Sequence, residues 1–215
     1  MIRALIFDFD GLILDTESAL IRSYADIHEA HRVPFDYSRF LRAVGHADYT
    51  FQPWSDFPAA HDRIALEAER QRTKIGRLEL LAPLPGVIDL LDEARAAAVP
   101  IAVASNSEHS WVESHLARLG LVDRFAFIAC REDVPSPKPE PDLYKLVLQH
   151  FGLRGHEAIA FEDSHTGVTA ATAAGLFTVA VPHELTRGHD LSRADLLVGS
   201  LTEVSLAALA VRFAS

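Results

Sequence analysis

The sequence predicts an α/β fold: a parallel sheet with helices on both faces, plus a small helical unit. Three observations lead there. From Leu84 to Phe213, short apolar runs alternate with segments of helical period. The first apolar run of the chain, Ala4 to Phe9, stands far upstream of the others and is interrupted at its end by Asp8 and Asp10. Between Thr16 and Pro83 no segment reads as a strand. Repeated βα units of this length bury a parallel sheet on both faces, and the strandless stretch reads as an insertion after the first strand.

Each element follows from its local pattern. Ala4–Phe9 has strand length, and Gly11 after it permits a turn that a side chain would obstruct. Ser18–Arg32 carries apolar residues at Leu20, Ile21, Tyr24, Ile27 and Ala30, a helical spacing. Phe40, Leu41 and Val44 suggest a short helix ending at Gly45, before an aromatic segment broken by proline. Ala59–Ile75 is predicted as a charged amphipathic helix, with Gly76–Leu84 as a connector. The alternation then begins. Helices are predicted at Gly86–Ala97, Glu108–Leu119, Asp142–Phe151, Thr166–Ala174 and Leu201–Phe213. Strands are predicted at Ile101–Ala104, Phe125–Cys130, Ala158–Phe161, Phe177–Val181 and Leu196–Val198. Gly120 and Gly175 stop two of the helices.

Composition narrows the function classes. The 215 residues are 49% hydrophobic, enough for one large domain or a domain with an insertion, and the formal charge is −10. That charge argues against sequence-independent binding to nucleic acid. The single cysteine, Cys130, forms no internal disulfide, and its strand position suggests burial. No stretch is long and uncharged enough to span a bilayer, and Asp8 and Asp10 break the only apolar run near the start. A cytoplasmic protein without membrane or nucleic-acid partners is expected. The lysines are Lys74, Lys138 and Lys145, so each position is informative.

Chemistry gathers where strands end. Asp8 and Asp10 leave an extended backbone in roughly the same direction, because strand side chains alternate. Two like charges held so close need a cation between them or a retained proton; a plain strand running into an Asp-Gly turn is the ordinary alternative. Ligands of open parallel sheets bind beyond the carboxyl ends of the strands. Those ends supply Asp8 and Asp10, then Ser105 and Asn106, then the loop of Lys138, then Glu162 and Asp163. Carboxylates suit a hard divalent cation, and a hydroxyl, free N–H groups and an ammonium suit phosphoryl oxygens. Ser105-Asn106-Ser107 also fits an ordinary helix cap, and Lys138, between Pro137 and Pro139, an ordinary rigid loop. No GxxxxGK[ST] loop is present.

The ordered set DFDGLILDTE, ASNS, SPKPEPDLY and FEDSHTGV resembles the haloacid dehalogenase superfamily, in particular its branch of phosphatases and phosphomutases that includes β-phosphoglucomutase. The resemblance runs over nearly the whole core and implies a Rossmann-like core at residues 1–15 and 84–215, with a helical cap at 16–83. It implies that Asp8 is the nucleophile that forms an aspartyl-phosphate, and Asp10 the general acid and then base. It implies Mg²⁺ held by Asp8, the backbone carbonyl of Asp10 and Asp163, with Glu162 near. Ser105 and the N–H of Asn106 would bind the phosphoryl oxygens, and Lys138 would neutralise charge on Asp8 and the transferring group. The substrate expected is a small phosphorylated metabolite, and the assembly a monomer or weak homodimer.

Departures from the family pattern separate its branches. Asp10 is present, whereas dehalogenases of the superfamily lack that second acid. The mutases place a histidine where this chain has Leu20, and an arginine just after the cap glycine, where this chain continues from Gly45 with His46-Ala47-Asp48. Pro137 stands before the lysine where glycine is usual. A phosphatase is expected over a phosphomutase, although Arg39, Arg42, Arg63, Arg70 and Lys74 offer other cations for a second phosphate. From another class, a non-catalytic phospho-receiver or binding protein would lack the cap or have lost a motif residue. In the cap, His46, Tyr49 and Trp54 are read chiefly as packing. His61, His115, His150 and His156 are read as solvated, and His183, Arg187 and His189 as residues able to border the crevice.

Overall fold

A computed structural model describes residues 1–41 and 52–213 of the chain. The chain divides into two compact units, Met1–Leu14 with Ala82–Ser215, and Asp15–Leu81. The predicted end of the second helix at Gly45, and the residues Arg42, His46 and Tyr49, lie outside the described residues.

The first unit holds a six-stranded parallel sheet in the order β3-β2-β1-β4-β5-β6. Its strands are β1 (Ala4–Phe7), β2 (Ile101–Ala104), β3 (Phe127–Ala129), β4 (Ala158–Glu162), β5 (Phe177–Ala180) and β6 (Leu196–Leu197). Helices cover both faces, as the alternating pattern predicts. The alternation is also one of size. Ala4, Ile6, Ala102, Ala104, Ala158 and Ala160 share a face with Ala129. The small alanine side chains of this set let α6 (Asp142–Phe151) and α7 (His165–Ala173) sit close, through Leu143, Tyr144, Val147, Ala170 and Ala171. The intervening residues Leu5, Phe7, Ile101, Val103, Ile159 and Phe161 are bulky, buried and directed to the other face. There Phe7 and Phe161, register partners on β1 and β4, stack with centroids 4.7 Å apart, a contact worth about 0.5–1.5 kcal/mol beyond its burial.

The strand order reverses direction at β1 and β4, and this is where the crevice of such a sheet opens. Pairing of Phe7 with Phe161 continues in a bond from the Asp8 N–H to the Phe161 carbonyl, 3.0 Å. Sequence neighbours of two stacked phenylalanines thus become neighbours at the carboxyl edge of the sheet. The remaining helices of this unit are α4 (Val87–Ala96), α5 (His109–Arg118) and α8 (Leu206–Phe213). The final helix is shorter than predicted. Ser200 caps a turn at Leu201–Glu203, Val204 is extended, and Ser205 starts α8 afresh by accepting from the Ala208 N–H. Ser200 and Ser205, each one residue before a leucine, act as separate starts, which the apolar period alone conceals.

The second unit contains α1 (Thr16–Ala30), α2 (Tyr37–Leu41) and α3 (Arg63–Glu79). The α3 helix begins later than predicted because Asp62 caps it, accepting from the N–H groups of Ile64 and Ala65. It also runs on through Gly76, where a Cβ would meet nothing within 4 Å. Gly76 is therefore tolerated and not required, at a cost of about 1 kcal/mol relative to alanine. The core of this unit is Ile27, Phe57 and Leu66, with Val33 and Trp54 packed on it. The buried ring of His28 places its nitrogens 3.0 and 2.9 Å from the carbonyl oxygens of Pro34 and Pro53. Arg39 pairs with Asp56 at 2.8 Å, Arg63 donates to the Phe57 carbonyl, and buried Arg70 pairs with Glu67 and lies over the Tyr24 ring. None of the described helices is long and apolar enough to cross a membrane.

Candidate active site

Four strand ends of the sheet bring the predicted residues together. Asp8 follows β1, Ser105 and Asn106 follow β2, Lys138 lies in the loop after β3, and Glu162 and Asp163 end β4. Asp8, Ser105, Lys138, Glu162 and Asp163 are all buried. The Lys138 ammonium joins two of the carboxylates, with Nζ 2.6 Å from Asp8 Oδ1 and 2.6 Å from Glu162 Oε1. Oxygens of Asp8, Glu162 and Asp163 all lie within 4.8 Å of one another.

Burial and crowding set the electrostatics. Burial pushes the Asp8 carboxyl up to about 7; the Lys138 ammonium opposes this and the nearby Glu162 charge adds to it. Glu162 is raised for the same leading reason, with Lys138 opposing and Asp163 repelling. Burial pulls Lys138 down, but Asp8 and Glu162 outweigh it, so the ammonium is held charged above its ordinary range. Burial, then Glu162, holds the Tyr144 phenol well above its ordinary range, and its hydroxyl donates to Glu162 Oε1. One ammonium thus faces three carboxylates.

That excess of negative charge tests whether a divalent cation fits. The three acids offer hard oxygen donors within a common reach. The second oxygen of Glu162, Oε2, is buried with no hydrogen-bond partner, and an orphaned buried carboxylate oxygen is costly unless a cation or solvent meets it. The residues therefore fit a divalent ion. Two glycines make room for the acids. A Cβ on Gly167 would sit 1.8 Å from Glu162 Oε2, and one on Gly11 would sit 2.5 Å from Asp163 Oδ2. Gly11 also has φ +83°, a left-handed conformation that favours glycine.

Asp10 stands differently from the other acids. Its side chain is not one of the three-carboxylate group; Ser107 Oγ donates to Oδ2 at 2.5 Å and the Trp111 indole N–H to Oδ1 at 2.9 Å. The ASNS segment is not the plain helix cap that its composition also suggests. Glu108 occupies the N-cap of α5, whereas Ser105 Oγ accepts from the Ser107 N–H within the loop. Asn106 turns its side chain toward the lysine loop, donating to the Lys138 carbonyl at 2.9 Å and accepting from the Lys138 N–H at 2.8 Å.

Several participants escape sequence reasoning. Tyr144 and Trp111 read as helix residues, and Gly167 as an unremarked helix position. His115, expected in solvent, is buried beneath Trp111 and near Phe9, with ring centroids at 4.5 and 6.2 Å. His61 is half-buried, its ring edge-on to Phe57. Of the residues expected to border the crevice, His183 places Nε2 3.0 Å from Asp163 Oδ2, and Arg187 is exposed. Cys130 is buried as expected, its thiol pushed up to about 12 by burial and neighbouring acids.

The family model for haloacid dehalogenase-like hydrolases matches residues 2–175. The chain is 36% identical over 216 residues to YhcW of Bacillus subtilis (strain 168), which is named as a phosphatase; the match covers 97% of this chain and 96% of that one. Among solved structures, a CbbY variant from Rhodobacter sphaeroides in complex with xylulose-(1,5)bisphosphate superposes with TM-score 0.74 at 27% identity, covering 97% of this chain and 99% of that one. A protein from Thermotoga maritima named as a beta-phosphoglucomutase superposes with TM-score 0.81 at 26% identity, covering 98% and 99%.

Proposed function

The chain belongs to the haloacid dehalogenase-like hydrolases, and we propose that it is a Mg²⁺-dependent phosphatase acting on a small phosphomonoester, a sugar phosphate or similar metabolite. The observation that carries this reading is the Lys138 ammonium shared between Asp8 and Glu162, beside Asp163 and at the carboxyl edge of the sheet. A buried nucleophile with a fixed cation against it is what phosphoryl transfer to a carboxylate needs.

In this reading Asp8 attacks phosphorus in line and forms an aspartyl-phosphate. Asp10 gives its proton to the departing alcohol and then takes one from the water that hydrolyses the intermediate. Ser105 Oγ and the Asn106 N–H hold phosphoryl oxygens, and Lys138 balances charge on Asp8 and the transferring group. Asp8, Asp163 and the Asp10 carbonyl would hold Mg²⁺, with Glu162 beside them. The ion would supply charge neutralisation that lets an anionic phosphate approach an anionic nucleophile. The helical unit of residues 15–81 is read as the substrate-selecting cap.

Hydrolysis is favoured over phosphoryl transfer between sugar hydroxyls. A mutase must grip a second phosphate, and Leu20 stands where the mutases carry a histidine. Arg39, Arg63 and Arg70 are engaged within the helical unit itself. The sugar bisphosphate bound by the CbbY variant and the phosphatase name of YhcW support a phosphorylated-carbohydrate substrate. The test is a panel of sugar phosphates and p-nitrophenyl phosphate, with Mg²⁺ and with EDTA, followed by ³¹P NMR. Inorganic phosphate that accumulates only with Mg²⁺ is expected. Rapid conversion of a hexose 1-phosphate to its 6-phosphate, with little free phosphate, would overturn the reading.

A further inference from the structure

We propose that Trp111 is a positioning residue for Asp10, holding its carboxyl group in one orientation. The inference rests on the acid–base reading of Asp10 given above. Trp111 lies in the first turn of α5, where its N–H bonds to the carbonyl of Glu108 at 3.0 Å. Its indole donates to Asp10 Oδ1 at 2.9 Å. Its ring also rests edge-on against buried His115, one turn later on the same helix, with centroids 4.5 Å apart. The donor is therefore held by its own helix and does not depend on the carboxylate for its place.

An indole N–H can only donate, whereas a hydroxyl can donate or accept. Oδ1, facing Trp111, is therefore held as an acceptor. Oδ2 accepts from Ser107 Oγ at 2.5 Å. Ser107 is itself held by the bond from its N–H to Ser105 Oγ, 3.0 Å. An aspartate's terminal torsion is otherwise broad. The indole and the serine hydroxyl remove that freedom and hold the carboxyl group in one orientation. As the bond from phosphorus to the ester oxygen breaks and the bond to Asp8 forms, the proton of Asp10 passes to the departing oxygen, leaving Asp10 as the carboxylate.

The test uses leaving-group dependence. A sugar alkoxide needs a proton as it departs and p-nitrophenolate does not, so an effect on acid catalysis separates the two substrates. Trp111→Phe keeps a ring against His115 and removes the donor. Measured on the sugar phosphate hydrolysed fastest in the panel above and on p-nitrophenyl phosphate, its ratio of kcat/KM values should fall by on the order of 10-fold or more relative to the parent protein. Equal losses on both substrates, or no change in the ratio, would overturn the proposal. Asp10→Asn should shift the ratio in the same direction and further; if it does not, the acid–base reading fails whatever Trp111 does. A second measurement uses the parent fold. The chain has two tryptophans, Trp54 and Trp111, and in ¹⁵N spectra Asp10→Ala should move the Trp111 indole resonance and spare that of Trp54. An unmoved Trp111 resonance counts against the contact.

Discussion

The side-chain amide of Asn106 closes a pair of hydrogen bonds on the backbone of Lys138, donating to its carbonyl at 2.9 Å and accepting from its N–H at 2.8 Å. The two residues are brought together from the ends of different strands, and the amide fixes the peptide from which the ammonium reaches Asp8 and Glu162. Asn106→Ala should therefore act on Lys138 without touching its charge. A fall in kcat of on the order of 10-fold is expected, since small misplacement of a charged group is costly. Asn106→Asp retains the acceptor for the N–H and turns the donor into a second acceptor facing a carbonyl; it should be no better than alanine. Full activity in both variants would mean the loop holds its place unaided.

Removing the ammonium itself is a larger change. Lys138→Ala leaves Asp8, Glu162 and Asp163 facing one another uncompensated, and kcat should drop by on the order of 10² or more. A rise in KM at unchanged kcat would instead assign the lysine to ground-state binding. Asp8→Asn should keep the fold and lose nearly all turnover, because the amide cannot form the acyl phosphate. Retained turnover in that variant would remove Asp8 as nucleophile.

Much of this arrangement is legible in the sequence because it rests on short-range signals. Apolar runs of strand length end in Asp8, Ser105 and Glu162-Asp163, and parallel topology gathers strand ends regardless of their distance along the chain. Asp142–Phe151 is found with the predicted bounds, since proline precedes it and Gly152 follows. What is hidden depends on where a side chain points. Trp111 and His115 have helical spacing and look like packing residues, and nothing local shows that the indole meets Asp10. The second half of the Asn106 motif is similar: a cap-forming residue type was visible, but its partner is a backbone thirty-two residues later. The late start of α3 followed from a choice between possible beginnings that Asp62 settles.

Gly167 gives a prediction about both shape and charge. Its Cα faces the Glu162 carboxylate so closely that a Cβ would lie 1.8 Å from Oε2 and 2.0 Å from Cδ. Glu162 is fixed by Lys138 and Tyr144 and has nowhere to retreat. Gly167→Ala should destabilise the protein by about 1–3 kcal/mol, the range for forcing an extra group into a filled interior. It should also weaken Mg²⁺ binding measured by calorimetry. An unaltered melting temperature together with unaltered Mg²⁺ affinity would show that Glu162 shifts freely.

The raised Asp8 carboxyl makes stability depend on pH in a direction opposite to that of an ordinary paired carboxylate. In the cation-free protein it is held at about 7, against an ordinary value of 3.8, chiefly by burial and despite Lys138. Between those limits the folded chain binds a proton at Asp8 that the unfolded chain has released. The contribution to stability is complete below the ordinary value and is lost as pH rises through about 7. In EDTA the melting temperature should accordingly fall between about pH 4 and about pH 7, and Asp8→Asn should flatten that fall because its side chain does not titrate. A divalent cation held by the same carboxylates would take over the role of the proton, so adding Mg²⁺ at the higher pH should raise the melting temperature with increasing concentration, as binding to the folded state alone requires. Identical pH slopes in the parent protein and in Asp8→Asn would place the titrating group elsewhere, and the crowding of Asp8 against Glu162 and Asp163 would then be relieved by some means other than protonation of Asp8.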